Sequence, residues 1–503
     1  MQTIAAIDVG SNAIRLLIGK VDEKGQAEAL ESIRIPVRLG KDTFQSGTIS
    51  EASIQEAVNA FLSFQKVIHD NGVSRFRAVS TSAMREALNQ DIVADRILQA
   101  TGIQVEVISG EEEARLIHLA VSRAVDLDDQ VALLIDIGGG SMEATLSVKG
   151  NILFAESYKI GAVRLLSQLN QPDILGVSVD ELIREVIESP RRRLRQILQT
   201  PKVTLLVSTG GNVEELAELA HTLFKRRTNQ QISLKDLELL ISRLEATSYE
   251  DRIHQLGLRP DRADVIVPAA ILLKAVADET HQQNIVIPRV SLKEGVLWDL
   301  AEEITQGEHP SRNEQVWVSI QRLGSKYGMD EGHAQHATEI AGCIFDQTHL
   351  LHNLKPEYRL LLEAATYLHD IGHFISTIDH DKHGYYILTA NPIIGLTDAQ
   401  QAIVANLVRF HRRQQPNLEE PAFRILSQKD RLVVFKLLSI MRIADGLDTN
   451  RSGRVKNVRL ISERSAWELY ISGEGDLLIE KWTADKRKSL FCELFGVTLE
   501  IKD

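Results

Sequence analysis

The sequence predicts an α/β protein of two related lobes over residues 1–304, followed by an all-α domain and a small α+β piece. Three observations carry this prediction. A strand–turn–strand pattern occurs twice: residues 5–19 read AAIDVGSNAIRLLIG and residues 133–147 read LLIDIGGGSMEATLS. Each copy is an apolar run ending in Ile-Asp, a turn of small residues, and a second apolar run. Strand patterns then alternate with helical periods as far as residue 304, which is the α/β signature. Beyond the polar stretch 305–315 (TQGEHPSRNEQ), apolar residues recur at three-to-four spacing to about residue 452, and strand-like alternation returns after it.

In the first lobe, strands are predicted at 3–9, 13–20, 33–38, 75–80 and 104–108, with helices at 51–70, 83–88 and 91–101. The second lobe opens with strands at 131–137, 142–148 and 152–159. Helices follow at 178–198 and 213–222, a strand at 203–208 lies between them, and further helices are predicted at 234–246, 263–278 and 292–304. The helical domain has periods at 333–350, 357–369, 381–390, 398–412 and 428–447. NVRLISE, AWELYISG and GVTLEIK then alternate like strands around one short helical stretch. The expected domains are 1–122, 123–304, 316–452 and 453–503.

Composition narrows the function classes. Only two cysteines occur, Cys343 and Cys492, so no disulfide framework points to secretion. The first twenty residues lack a basic start, Asp8 interrupts their apolar run, and no apolar stretch reaches membrane-helix length. A cytoplasmic protein is expected. The net charge of −12 argues against a general nucleic-acid binder. The basic clusters at 191–195, 225–227 and 409–413 read as solvated helix faces.

The turns suggest phosphate chemistry. Ser11, Asn12, Gly138, Gly139, Gly140 and Ser141 place backbone N–H groups at tight corners, which cradle phosphate oxygens. Asp8 and Asp136 sit at strand ends, where a carboxylate can hold Mg²⁺ or Mn²⁺ against a phosphoryl group. A third turn, Ser208-Thr209-Gly210-Gly211-Asn212, joins a strand to an apolar helix and offers an anion site at the helix start. Gly110-Glu111-Glu112-Glu113-Ala114-Arg115-Leu116 opens a helix with three glutamates. They suit the helix dipole, and one of them facing the cleft would activate water. Arg85 and Arg115 can clamp phosphate or form ion pairs.

AIDVGSNAIRLLI, STSAMREALN, ISGEEEARL, LIDIGGGSMEATL, STGGN, RADVIVPAAIL and SLKEGVLWDL occur in the order seen in the exopolyphosphatase and guanosine pentaphosphate phosphatase family (Ppx/GppA), which this chain resembles. The resemblance implies two lobes of the actin-like, ribonuclease H-like fold with the active site between them. It implies release of the terminal phosphate from inorganic polyphosphate or from guanosine pentaphosphate, a homodimer, and a place in the stringent response. It makes Glu113 the general base with Glu112 in reserve, and Asp136 the magnesium aspartate with Asp8 its counterpart. Asn12, Ser141 and Arg85 become phosphate contacts. The first hairpin departs from many relatives at Ala13-Ile14 and at Arg15, which joins the expected phosphate contacts.

Nine of the fifteen histidines fall between residues 333 and 411. His336, His369, Asp370 and Asp445 follow the order His, His-Asp, Asp, which looks like the metal site of HD-type phosphohydrolases; the alternative reading is a relic domain that builds the substrate channel and dimer interface. His373, His383 and His411 are available for a second ion. Imidazole with carboxylate suits Mn²⁺, Fe²⁺, Co²⁺, Ni²⁺ or Zn²⁺. Two other readings of the whole chain stand beside the hydrolase. One is a small-molecule kinase on the same fold; the other is an alarmone- or nucleotide-binding regulator with vestigial catalysis. Polyphosphate and guanosine pentaphosphate present the same terminal phosphoanhydride, so the residues leave both open.

Overall fold

The computed structural model describes residues 2–169, 179–198, 202–306, 310–412, 414–463 and 466–502. The chain divides into two units, Met1–Pro310 and Ser311–Asp503.

The first unit holds two sheets built to one plan. Strands β1 (Gln2–Val9), β2 (Ile14–Val21), β3 (Ala27–Ile35), β4 (Arg75–Ser80) and β5 (Val105–Val107) lie in the order β3-β2-β1-β4-β5. The first three form an antiparallel meander, and β4 and β5 join it in parallel. The second sheet contains β6 (Val131–Ile137), β7 (Met142–Val148), β8 (Asn151–Tyr158), β9 (Leu205–Thr209), β10 (Gln231–Ser233) and β11 (Asn284–Val286), ordered β10-β11-β9-β6-β7-β8. Its meander β6-β7-β8 is followed by parallel β9 and β11.

The lead strand of each sheet is apolar on both faces, as a strand covered on both sides must be. Successive side chains point to opposite faces. Ala5 and Ile7 of β1 therefore join one core with Ile54, Phe61 and Phe64, whereas Ile4 and Ala6 join another. Leu133, Ile135 and Ile137 of β6 likewise face a core of their own lobe, while Ala132 and Leu134 face the one that holds Ile4 and Ala6. This shared layer is filled by two helices, Gly110–Ala124 and Leu292–Gln306, through Leu116, Ile117, Ala120, Val296 and Leu300. They meet backbone to backbone: a Cβ on Gly295 would lie 2.0 Å from the Leu116 carbonyl oxygen.

Most predicted elements are found within a few residues; besides unpredicted short elements such as the helix Ala162–Leu169 and strands β10 and β11, the differences are these. The third strand runs over Ala27–Ile35 instead of 33–38. Its largely exposed side chains hide the alternation, and its length is set by pairing with β2 from Ile14↔Ile35 to Val21↔Ala27. An unpredicted helix, Leu39–Ser46, follows it. The expected linker at 305–315 is largely helix at both ends, since one helix extends to Gln306 and another begins at Pro310, a residue suited to a first helical position. Residues 307–309 lie outside the described residues. Two short helices, Leu478–Arg487 and Ser489–Phe495, occupy the place of the single one expected near the C-terminus.

In the second unit, six longer helices (Pro310–Lys326, Glu331–Gln347, Glu357–Leu368, His380–Ala390, Asp398–Phe410 and Gln428–Gly446) pack with a small sheet of β12 (Val455–Glu463), β13 (Ala466–Gly473) and β14 (Thr498–Lys502). Segment 453–503 shares the helices' core: Leu469, Ile471 and Phe491 belong with Ile344, Leu362, Leu407 and Leu437. The basic clusters are mostly ion-paired, Arg191 and Arg195 with Glu279, Arg226 with Asp236, and Arg409 with Asp381. Arg413 lies outside the described residues. No helix among the described residues is long and apolar enough to cross a membrane.

The Gly295–Leu116 contact yields a stability prediction. Gly295→Ala forces the two central helices apart and is expected to cost about 1–3 kcal/mol, the usual range for overpacking. Urea unfolding monitored by circular dichroism measures it; an unchanged midpoint would show that the layer yields freely.

Candidate active site

The two hairpins share the same strand register, but their charges differ. Gly10 N–H donates to the Ala13 carbonyl at 3.1 Å, and Gly138 N–H to the Ser141 carbonyl at 3.0 Å. In the first hairpin Asp8 is directly opposite Arg15, and Arg15 Nη1 donates to Asp8 Oδ2 at 2.7 Å. In the second, Asp136 is directly opposite Glu143. One aspartate therefore faces its counter-charge, and the other faces a like charge.

Glu113 completes the acidic group. Carboxylate oxygens of Glu113, Asp136 and Glu143 all lie within 4.8 Å of one another. The helix that carries Glu113 starts at Ser109, whose hydroxyl accepts from Glu112 N–H at 3.2 Å, an N-cap. Consecutive helix residues point about 100° apart, and here Glu112 and Glu113 part company. Glu112 accepts from Arg115 at 2.7 and 2.9 Å and from Arg77 at 3.3 Å. Both arginines also bond Asp299, each at 2.8 Å. Glu113 turns toward Asp136 and Glu143, with Arg85 3.3 Å from its Oε2. Arg85 also donates to the Ile108 carbonyl at 2.7 Å. Glu112, expected as a reserve base, is thus a structural anion.

Burial sets the electrostatics. It pushes Glu113 well above the carboxylate range; the charge of Glu143 adds to this and Arg85 opposes it. Asp136 is raised to about 6, by burial first and also by Asp8, against the hydrogen bond from Thr209. Glu143 is raised to about 7, by burial and then by Asp136, against hydrogen bonds from Ser141 and Ser157. Oε2 of Glu143 is buried with no hydrogen-bond partner among the described residues. Three converging buried carboxylates with an orphaned oxygen are a donor set for a hard divalent cation. Asp8, expected beside Asp136 as a metal ligand, is not one of the three and is ion-paired with Arg15.

A cavity of about 280 Å³ opens beside the group and is lined by Asp8, Ser11, Asn12, Arg15, Asp136, Gly138, Gly139, Gly210 and Gly211. Gly140 and Ser141, expected to contact phosphate, serve elsewhere. A Cβ on Gly140 would lie 2.2 Å from the Phe44 ring and 2.5 Å from Ser82 Oγ, so the second hairpin approaches the first lobe closely only with glycine there. Ser141 bonds Glu143. Asn12 Nδ2 donates to the Asp261 carbonyl at 3.0 Å, while its Oδ1 is buried without a partner among the described residues. Ser11 and Ser82 hydroxyls are 3.0 Å apart.

The cavity wall also carries Arg34 and Arg259, which lie outside the motif blocks, and Arg262 and Lys293, which lie inside RADVIVPAAIL and SLKEGVLWDL but are given no role by them. Arg262 is lowered to about 10, first by burial and then by the charges of Arg15, Arg259 and Arg34. These residues are scattered from 34 to 293 and gather only on folding. Glu143 was also missed, although laying one hairpin over the other places it opposite Arg15 and marks it out.

In the second unit the expected quartet is partly corrected. His369 and Asp445 come together, but with His333 and not His336. The ring of His336 turns away, its Nε2 2.5 Å from the Val455 carbonyl oxygen. Three residues along a helix leave the two side chains about 60° apart, enough to separate them. Asp370 groups with His373 and His380.

Comparison with known proteins supplies the family. The model of the Ppx/GppA phosphatase family matches residues 17–304, and that of its domain III matches residues 317–481. A guanosine-5'-triphosphate,3'-diphosphate pyrophosphatase of Photobacterium profundum is 27% identical over 444 residues, 87% of this chain and 85% of the relative. An exopolyphosphatase of Cytophaga hutchinsonii, solved by crystallography, is 30% identical at a TM-score of 0.55, covering 60% of this chain and 98% of that one. A Ppx/GppA family member from Aquifex aeolicus, 23% identical at a TM-score of 0.51 over 61% of this chain and 99% of its own, shares the actin-like fold. With a family match across more than half its length, the chain belongs to the Ppx/GppA phosphatase family and is one of its hydrolases.

Proposed function

We propose that this protein is a magnesium-dependent exophosphatase that cleaves the terminal phosphoanhydride of inorganic polyphosphate and of guanosine pentaphosphate. The observation that carries the reading is the division of charge in one cleft. Arg15, Arg34, Arg259, Arg262 and Lys293 line a cavity whose floor holds Asp136, with Glu113 and Glu143 beside it. Arg34 and Arg262, whose proton affinities are lowered by burial and then by neighbouring arginines, suit a polyanionic chain. Buried carboxylates at its end suit removal of the last phosphate. The names carried by the relatives, one acting on a guanosine nucleotide and one on polyphosphate, support both substrates.

In this reading the arginines hold the anionic chain, and backbone N–H groups of the Gly138–Gly139 and Gly210–Gly211 turns orient the terminal phosphate. Asp136 and Glu143 would hold Mg²⁺, which when bound neutralises charge on the phosphoryl oxygens. Glu113 takes a proton from water as the water oxygen bonds to phosphorus and the bridging P–O bond breaks. Burial raises its proton affinity, which makes its ionised form a stronger base than an exposed carboxylate. Arg85 holds its carboxylate in place. The products are orthophosphate and a chain one phosphate shorter, or guanosine tetraphosphate.

Phosphate release from long polyphosphate and from guanosine pentaphosphate, measured side by side with Mg²⁺ and with chelator, tests the activity. Release is expected from both substrates and only with metal. Metal-independent release, or none, would overturn the reading. Glu113→Gln is expected to lower kcat by roughly 10²–10⁴-fold, the scale of general-base catalysis, with KM nearly unchanged. Turnover at the wild-type rate would move the base elsewhere.

The carboxylates also predict a stability signature. Asp136 at about 6 and Glu143 at about 7 bind protons more tightly folded than unfolded. The stabilisation is complete below the ordinary carboxylate range and is lost as pH rises through about 7. In chelator, the melting temperature of wild type should fall more steeply from about pH 5 to 8 than that of Glu143→Gln, and Mg²⁺ should restore it. Parallel profiles for the two proteins, unaffected by Mg²⁺, would remove the metal from this site.

A further inference from the structure

The cations of the cavity wall in the first unit are not free. Arg15 is paired with Asp8 at 2.7 Å, and Lys293 Nζ lies 2.7 Å from Glu294 Oε1. Arg34 Nη2 donates to Asp261 Oδ2, and Arg259 Nε lies 3.8 Å from Asp261 Oδ1. Of these cations only Arg262 has no carboxylate partner among the described residues; its Nη1 donates to Asn212 Oδ1 at 2.5 Å. Asp261 belongs to the second lobe, in the short helix Pro260–Ala263, and Arg34 to β3 of the first. Asn12 of the first hairpin holds Asp261 as well, its Nδ2 3.0 Å from the carbonyl oxygen and 3.4 Å from Oδ2. One carboxylate therefore meets two guanidiniums and an amide N–H. That is the donor set a bound phosphate group would choose.

Asp261 does not use up the donors around it. Arg34 Nε and Arg262 Nε are buried without a hydrogen-bond partner among the described residues, and Arg262 as a whole is 7% exposed. Burial lowers the proton affinity of Arg34, and Arg259 adds to this, although Asp261 pulls the other way. A buried donor left unbonded costs about 1–3 kcal/mol, so two of them on one cavity wall point to a partner that arrives with the ligand. The two oxygens of Asp261 face Arg34 Nη2, Arg259 and Asn12 and leave both Nε groups unserved. A chain of phosphates brings more oxygens than one carboxylate can.

We propose that Asp261 is an internal anion that holds the place of a substrate phosphate on Arg34, and that ligand binding exchanges one for the other. The inference rests on the exophosphatase reading for the nature of the ligand. Exchange makes Asp261 a specificity-determining residue. Its carboxylate is tethered, so its effective concentration at Arg34 is on the order of millimolar or above, and a weakly bound free anion does not displace it. A ligand whose terminal phosphate already sits at the Gly138–Gly139 turn presents its next phosphates to Arg34 on a tether of its own, and gains Arg262 besides. The wall therefore selects ligands with two or more linked phosphates, in a polyphosphate chain or in a nucleotide. A second ion pair, Arg38 Nη2 to Asp264 Oδ2 at 2.8 Å, also joins the two lobes, but neither of its residues lines the cavity. It separates competition for the ligand from mere fastening of the lobes.

The test measures binding by titration calorimetry on the full chain, in chelator, with long polyphosphate and with guanosine pentaphosphate. Asp261→Asn keeps the shape of the side chain and Asp261→Ser does not, but both remove its charge. Each variant, checked for folding by circular dichroism, is expected to bind polyphosphate about tenfold tighter than wild type at low salt, within the usual range of coupling between linked events. Each should also lose affinity more steeply as KCl rises, because Arg34 is then open to chloride. A matching gain for guanosine pentaphosphate assigns Arg34 to linked phosphates of either source, and a gain for polyphosphate alone assigns it to the chain. Asp264→Asn should bind as wild type does, and in an Arg34→Gln background Asp261→Asn should lose most of its effect. Folded Asp261 variants that bind polyphosphate no tighter than wild type overturn the proposal. An equal gain in Asp264→Asn overturns it too and makes both pairs lobe fasteners. If wild type releases no phosphate from either substrate while Asp261→Asn binds tighter, the exophosphatase reading fails and the exchange stands; release by wild type without tighter binding by the variants sinks the exchange alone.

Discussion

Everything in the first unit hangs on how the Gly110–Ala124 helix is seated. One side of it touches the Leu292–Gln306 helix so closely that only glycine fits at residue 295. Its start is pressed on the second sheet, where a Cβ at Gly110 would lie 2.4 Å from that of Ser157. Its rotation is pinned by the network of Glu112, Arg115, Arg77 and Asp299. Burial works against the charge on Arg115, but Asp299 and Glu112 outweigh it and hold the guanidinium above its usual value. An unpaired charge left at such a place typically costs about 3–5 kcal/mol, so the network tolerates only one rotation of the helix. With Glu112 held there, Glu113 has one direction left, and that direction is the acidic group. Two consecutive glutamates, Glu112 and Glu113, are thus sent into different surroundings by the geometry of a helix.

The repeated hairpin divides its labour in a similar way. Both copies close the same turn with the same hydrogen bond, and both put an aspartate at the strand end. A single cross-strand neighbour separates their chemistry. Arg15 pairs the aspartate of the first copy with a cation, and Glu143 sets a second carboxylate opposite the aspartate of the second copy. The shared apolar layer needs both copies as strands; the cleft needs them to differ.

Much of this was legible before folding. The lead strands, the repeat and the position of Glu113 depend on local pattern, and local pattern survives into the structure. The extent of β3 is not written in its own residues, because its side chains are exposed and its length is dictated by its partner strand. The helix starting at Pro310 resembles a linker in sequence because its first turn is polar. The arginines of the cavity wall carry no local signal, since they converge from distant parts of the chain. His336 and His333 differ by less than one helical turn, and only side-chain direction distinguishes the residue that meets His369 from the one that caps a strand. Spacing identified the elements that carry ligands more readily than the ligands themselves.

The arginine wall has a consequence for traffic. The chain as a whole carries a net charge of −12, so a polyanion at a distance meets repulsion, while the same anion at the cavity mouth meets Arg34, Arg259, Arg262 and Lys293 at short range, beside Asp8, Asp136 and Glu214. At physiological ionic strength charges are screened beyond about 8 Å. Salt therefore erases the distant repulsion first and the short-range attraction last. Capture of a polyanionic substrate should quicken with the first additions of salt and slow only when the ions crowd the mouth itself, the reverse of the monotonic loss shown by a protein that is basic overall.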